Sequence, residues 1–281
     1  MIPLVGRVAV NGKPDPSSAA AQAALYAALG QLPVSGRGPK CVVTPGGFAR
    51  VGAPIRWDFP VGWQSRSEDF WRLISHAEPT VRSIMSWRVC ERAEYIGVRL
   101  ITVGIDVYGQ DDDKHPLAEL IAAYDPLTEK IVRWTGKSYP TPDQEKRLFQ
   151  VVDLKSHVLI HERRRILLLG CHDLNMFSPR SAANQRPRSD RNKRSLAMKR
   201  IVRKFKPNIV LHHPHATDSP NIWLQGWVGM RRFGSVRKWA SGVARYNECG
   251  NKCRAPMGPI LKATRSSDGV SDMVVPSRNR K

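Results

Sequence analysis

The segment Arg165–Arg180, RILLLGCHDLNMFSPR, constrains this chain more than any other. Four apolar residues run into Gly170, and polarity then switches on at Cys171, His172 and Asp173. A short apolar run bounded in this way predicts a buried strand that delivers its last residues to an edge of a sheet. Chemistry often sits at such edges. A free cysteine is more often a small buried hydrophobe, so the role of Cys171 turns on what the rest of the chain brings to it.

The order of elements predicts one mixed α/β domain over residues 1–281. LVGRVAV reads as a strand, SSAAAQAALYAALGQL as a helix capped by serine, and KCVVTPGG as a second strand, together a βαβ unit. FARVGAPIRWDFPVGWQSRSE reads as an irregular excursion. A helix that breaks at Pro79 and a second helix then lead into the strand VRLITVGIDVYG. LIAAYD and KIVRWT form a hairpin around a turn-forming Asp-Pro-Leu-Thr-Glu. RLFQVVDL and HVLIHERRRILLLG read as a further pair of strands around a polar turn. RSLAMKRIVRKFKP is an amphipathic basic helix, NIVLHHPH a buried strand, WLQGWVGMRRFG a helix, and GPILKATRSSDGVSDMVVP a closing hairpin.

Composition narrows the function classes. A hydrophobic content of 41% in 281 residues is enough for a sizeable core. No apolar stretch approaches the length that spans a bilayer, and the N-terminus lacks a signal-peptide layout, so a cytoplasmic location and no membrane partner are expected. Five cysteines, at 41, 90, 171, 249 and 253, form no dense even framework, which predicts free thiols. The formal charge of +21 is concentrated: Arg180 to Lys206 holds eleven Lys or Arg against Asp190 alone. Its first part, residues 180–195, reads as a basic mobile insertion, and residues 276–281 read as a frayed tail. Such a run is a solvated face or a weak nucleic-acid contact.

The order of a hairpin ending in Lys137, then Glu145 eight residues on, then LLLGCHD, then ASGVARYNECG and GPILKAT resembles the nitrilase, or carbon-nitrogen hydrolase, superfamily. The resemblance covers about residues 98–275. It implies a four-layer αββα sandwich, Cys171 as nucleophile, Lys137 beside it and Glu145 as the supporting carboxylate. It also implies hydrolysis of a non-peptide C–N bond, an amide before a nitrile, through a covalent thioester, with no cofactor and a plausible homodimer. His172, Asp173, His213, His215, Asp218 and Trp223 then border the pocket.

One departure stands out. The family's general base is a glutamate in a Pro-Glu pair after an early strand, and here Pro45 is followed by Gly46 and Gly47. Glu145, Asp173, Glu68, Asp69 and Glu119 remain as carboxylates for the role. Two alternatives follow. One is a catalytically degenerate scaffold that binds nucleic acid or a protein through its basic segment. The other is a metal hydrolase built on His212, His213 and His215, of which His213 and His215 share a strand face.

Overall fold

The computed structural model of the chain describes residues 3–15, 17–33, 37–52, 59–109, 116–183 and 186–277. In chain order the elements are β1 (Val5–Asn11), α1 (Ser18–Gly30), β2 (Cys41–Val43), β3 (Ala49–Gly52), α2 (Ser67–Ile84), α3 (Trp87–Ile96), β4 (Leu100–Tyr108), β5 (Pro116–Asp125) and β6 (Lys130–Gly136). The second half continues with β7 (Val158–His161), β8 (Arg164–Gly170), α4 (Pro179–Ala183), α5 (Asp190–Phe205), β9 (Ile209–His213), α6 (Leu224–Arg231), β10 (Lys238–Ser241), β11 (Val243–Ala244), α7 (Met257–Ala263) and β12 (Val270–Pro276).

The strands form two sheets. The larger runs β11-β1-β2-β4-β5-β6, with β12 paired to β1 and β3 to β4; the smaller runs β10-β9-β8-β7. Alternation along the strands decides the layering. Ile166 and Leu168 of β8, with Ile209 and Leu211 of β9, pack against Val5, Cys41, Val43, Leu100, Ile121 and Ala123 of the larger sheet. The intervening Leu167, Leu169 and Val210 face outward onto Met198 and Val202 of α5 and Trp227 and Met230 of α6. On the other side Ile101, Val103, Ile105 and Val107 of β4 pack against α1, α2 and α3. The result is helix, sheet, sheet, helix, the four-layer arrangement expected. Strands covered on both faces read as continuous apolar runs, which is why ILLL carried no alternation.

Several local expectations change. Helix α2 runs through Pro79, and the break falls at Met85 and Ser86. An interior proline costs about 3 kcal/mol, whereas Leu73, Ile74, Ala77, Val81 and Ile84 are all buried along this helix, at about 1.5–3 kcal/mol for each large side chain. Packing wins over propensity. The closing hairpin is instead α7 followed by β12, and β12 lies parallel to β1. Pro259 sits in the first turn of α7, where its missing N–H would have had no helical partner. RLFQVVDL forms no named strand, touching β5 through an isolated bridge from Phe149 to Ala118. Within the basic segment, Pro179–Ala183 and the chain from Asp190 onward are helical, with Ser189 capping α5. Of the tail expected to fray over 276–281, Pro276 ends β12 and Ser277 Oγ donates to Lys13 O at 2.7 Å, and the remainder lies outside the described residues. Among the described residues no helix is long and apolar enough to cross a membrane.

Candidate active site

Strands from both sheets end at one place. Cys171 follows β8, His215 lies two residues past β9, Gly46 lies just past β2, and Lys137 follows β6. Parallel β8 and β9 end on the same side, the usual position for a site in such sheets. Asp106 of β4 and Glu119 of β5 join them for a simple reason of period. With Ile105 and Val107 facing the helices, Asp106 faces inward; with Ile121 and Ala123 inward, so is Glu119.

Lys137 Nζ donates to Glu119 Oε1 at 2.8 Å, and both side chains are buried. The lysine backbone is clamped as well: its N–H donates to Glu119 O at 2.8 Å, and its carbonyl accepts from Val151 N–H at 3.0 Å. Glu119 Oε2 stands 3.6 Å from His215 Nδ1. Atoms of Glu119, Cys171 and His215 all lie within 4.8 Å of one another. The main-chain N–H of His215 points to Cys171 Sγ at 3.5 Å. The ring Nε2 of His215 donates to both oxygens of Asp106, at 2.8 and 2.9 Å. These groups floor a cleft of about 840 Å³, whose walls carry Lys13, Arg50, Arg147 and Arg245.

Burial and charge act against each other here. Burial alone would lower the Lys137 ammonium, but Glu119, Cys171 and Asp173 outweigh it and raise its pKa, so the cation is permanent. Burial would raise Glu119, yet Lys137 and His215 hold it below the usual carboxylate range. Burial raises Asp106 against the opposing pull of His215. His215 is drawn down by burial and driven well above an ordinary histidine by Asp106 and Glu119. His172 goes the other way: burial, Lys137 and His215 depress it well below normal. His212 and His213 are pushed down to about 3, chiefly by burial.

The structure brings Cys171, Lys137 and His215 together, with His172 on the cleft wall. Glu145 is elsewhere: Arg191 Nη1 donates to it at 3.1 Å, and it sits on a short helical turn facing α5. Asp173 is wholly buried and accepts from Ser138 N–H, Ser138 Oγ, Tyr139 N–H and Gly170 N–H, so it holds the loop after Lys137 onto the end of β8. Asp218 pairs with Arg254 at 2.7 Å and accepts from Asn247. Trp223 packs edge-on to His172 and His212.

The His212 ring is spent on Ser241 Oγ at 3.0 Å and Cys171 O at 2.8 Å, and His213 is buried. Neither joins His215 around a common point. The cluster of Glu119, Cys171 and His215 has donor types that suit a metal. Lys137 already occupies one Glu119 oxygen, however, and its ammonium opposes a second cation there.

In the basic segment, Arg191 stacks on Tyr139 and Arg194 donates to Val151 O at 2.8 Å, so these two charges serve the fold. Asp106 is the site residue that sequence reading missed. Its signal was a lone acid in the apolar strand LITVGIDVYG, and buried acids are rarely without a partner.

No family model and no curated protein matches the sequence. Among solved structures, the chain is similar to an amidase from Nesterenkonia sp., at 14% identity, covering 87% of this chain and 77% of that one, with a TM-score of 0.49. A cysteine-to-alanine mutant of the Nesterenkonia AN1 amidase from the nitrilase superfamily aligns at 12% identity over 87% of this chain and 78% of that one, TM-score 0.49. A further structure of the Nesterenkonia sp. AN1 amidase, in complex with butyramide, aligns at 15% identity over 86% and 77%, TM-score 0.48.

Proposed function

We propose that the chain is a thiol-dependent hydrolase of non-peptide C–N bonds in small amides, working through a thioester on Cys171. The supporting observation is the meeting of the Cys171 sulfur, a buried Lys137–Glu119 ion pair and the His215 ring at the floor of one cleft. Attack by sulfur on the amide carbon splits a difficult hydrolysis into formation and breakdown of a thioester. As the S–C bond forms, the carbonyl oxygen gains negative charge. Lys137 supplies a fixed positive charge nearby at no reorganisation cost, because Glu119 and Val151 hold it in place beforehand. Such a donor is worth about 3–4 kcal/mol of barrier. The C–N bond then breaks, and water releases the acid from sulfur.

The test is acyl-enzyme trapping. Protein mixed with short aliphatic amides is quenched in acid, and the Cys171 peptide is weighed while released ammonia is assayed. An acyl adduct confined to Cys171, with ammonia release abolished in Cys171→Ala, is expected. Ammonia release that survives Cys171→Ala overturns the reading.

A further inference from the structure

Hydrolysis of an amide by a thiol needs one group that accepts the thiol proton, gives a proton to the leaving nitrogen and then takes one from water. Lys137 is unsuited, being held as a permanent cation by Glu119. Glu119 is unsuited too, since one oxygen is engaged by Lys137 and the carboxylate is a weak base. The position where the resemblance calls for a carboxylate is Gly46.

The surroundings of Gly46 explain its identity. A Cβ there would meet the carbonyl oxygen of His213 at 2.7 Å and the Cε1 and Nδ1 atoms of the His215 ring at 3.0 Å. At Gly47, whose φ of +59° already favours glycine, a Cβ would meet Asp106 Oδ2 at 2.7 Å and His215 Cδ2 at 3.1 Å. The two glycines leave room for the imidazole and its carboxylate, so the ring occupies the space a side chain at residue 46 would enter.

We propose that His215, oriented by Asp106, is the acid–base group of this site, replacing a carboxylate at position 46; this rests on the hydrolase reading above. An ionised carboxylate offers only lone pairs, so the hydrogen bonds to Asp106 keep a hydrogen on Nε2 and turn Nδ1 toward Cys171 and Glu119. The proton of Cys171 passes to Nδ1 ahead of attack, so that a thiolate faces an imidazolium held between Asp106 and Glu119, and the thiolate then forms the S–C bond. That proton passes to the amide nitrogen, the C–N bond breaks and the amine leaves. Nδ1 then takes a proton from water as the new O–C bond forms. The C–S bond breaks, sulfur leaves as the thiolate beside the imidazolium, and the cycle closes with no net proton change. His215 is the catalytic residue and Asp106 a positioning residue. The titratable groups facing the ring are Asp106 and Tyr108 of β4, Glu119 of β5, Lys137, Cys171 and His172, His212 and His213 of β9, and Tyr246. The two carboxylates dominate and favour the imidazolium.

The test uses the full chain with an amide and with a p-nitrophenyl ester, whose leaving group needs no proton. In His215→Ala, amide turnover is expected to fall about 10²–10⁴-fold. The ester should still acylate Cys171, but the acyl group should persist, and added imidazole should restore its release. In Asp106→Asn, loss of the anion that raises His215 should move the alkaline limb of the pH–rate profile to lower pH. This second variant keeps the test valid should the first fail to fold. A His215→Ala protein that turns over amide within threefold of wild type, or an Asp106→Asn profile with an unmoved limb, overturns the assignment. A wild-type protein that forms no acyl-Cys171 with either substrate overturns the hydrolase reading and this assignment with it.

Discussion

Asp106 and Glu119 are direct cross-strand partners on antiparallel β4 and β5, two carboxylates aimed into the space between the sheets. Like charges placed opposite each other destabilise a sheet. Each acid here has its own cation, Asp106 the His215 ring and Glu119 the Lys137 ammonium. The four form an alternating square of charge beside the Cys171 sulfur, and its members depend on one another.

The buried pair should therefore show strong coupling. Glu119→Gln or Lys137→Met alone is expected to cost about 3–5 kcal/mol, because each strands a desolvated charge. The double variant should be more stable than the sum of the two losses implies. Urea denaturation of the four proteins completes the cycle, and additive losses would contradict the pairing.

Activity should separate Lys137 from the thiol itself. If the double variant folds, its amide turnover should fall about 10²–10³-fold through loss of one charge-stabilising donor. Cys171 should remain open to alkylation by iodoacetamide, since its position just past β8 does not depend on the lysine. Peptide mapping of the alkylated protein reads this directly.

Glu145 provides the opposite control. It faces Arg191 and is not among the cleft-lining residues. Glu145→Gln should change stability by less than about 1 kcal/mol, as for a partly exposed ion pair. Turnover should stay within about threefold, well under the factor of ten that 1.4 kcal/mol of barrier would bring. A larger loss in kcat would place it in the reaction.

Asp173 should matter to the fold before it matters to chemistry. Asp173→Ala leaves buried donors of Ser138, Tyr139 and Gly170 without an acceptor, at about 1–3 kcal/mol each at most. A large drop in thermal midpoint is expected. Asp173→Asn, which keeps an acceptor oxygen, should lose less.

Acid stability should follow His212 and His213. Both are buried and pushed down from 6.5 to about 3, so the unfolded chain binds protons there that the folded chain refuses. Stability then rises with pH through the interval from about 3 to 6.5, each ring contributing about 1.4 kcal/mol per pH unit. Urea midpoints measured from pH 4 to 7 should fall steeply toward acid. His213→Asn should flatten the slope by about half of their joint share.

Much of this site could be read in the chain because chemistry sat at strand ends. Cys171 after ILLLG and His215 after IVLHH each follow a segment whose burial the apolar pattern announces, and Lys137 follows a hairpin that its turn residues announce. What the pattern withheld was direction. The eight-residue step from Lys137 to Glu145 fixes a distance along the chain, but Asp173 captures Ser138 and Tyr139 and steers the loop to α5, where Arg191 waits. Glu119 was visible only as one of several acids, and Asp106 was hidden inside a run of β-branched residues. Its role depends on register against β5, a long-range property that no local window contains. Pro-Gly-Gly likewise read as a missing acid, although the space it vacates is filled by a ring from the other sheet.

That shared construction has a consequence for how the molecule matures. Sulfur and imidazole belong to the smaller sheet; the two acids and the ammonium belong to the larger one. A half-folded chain with only the smaller sheet formed would own the thiol and the imidazole but neither the acids that charge the ring nor the ammonium. Chemical competence would thus be switched on by the last docking event, and alkylation kinetics at Cys171 would serve as a clock for that event.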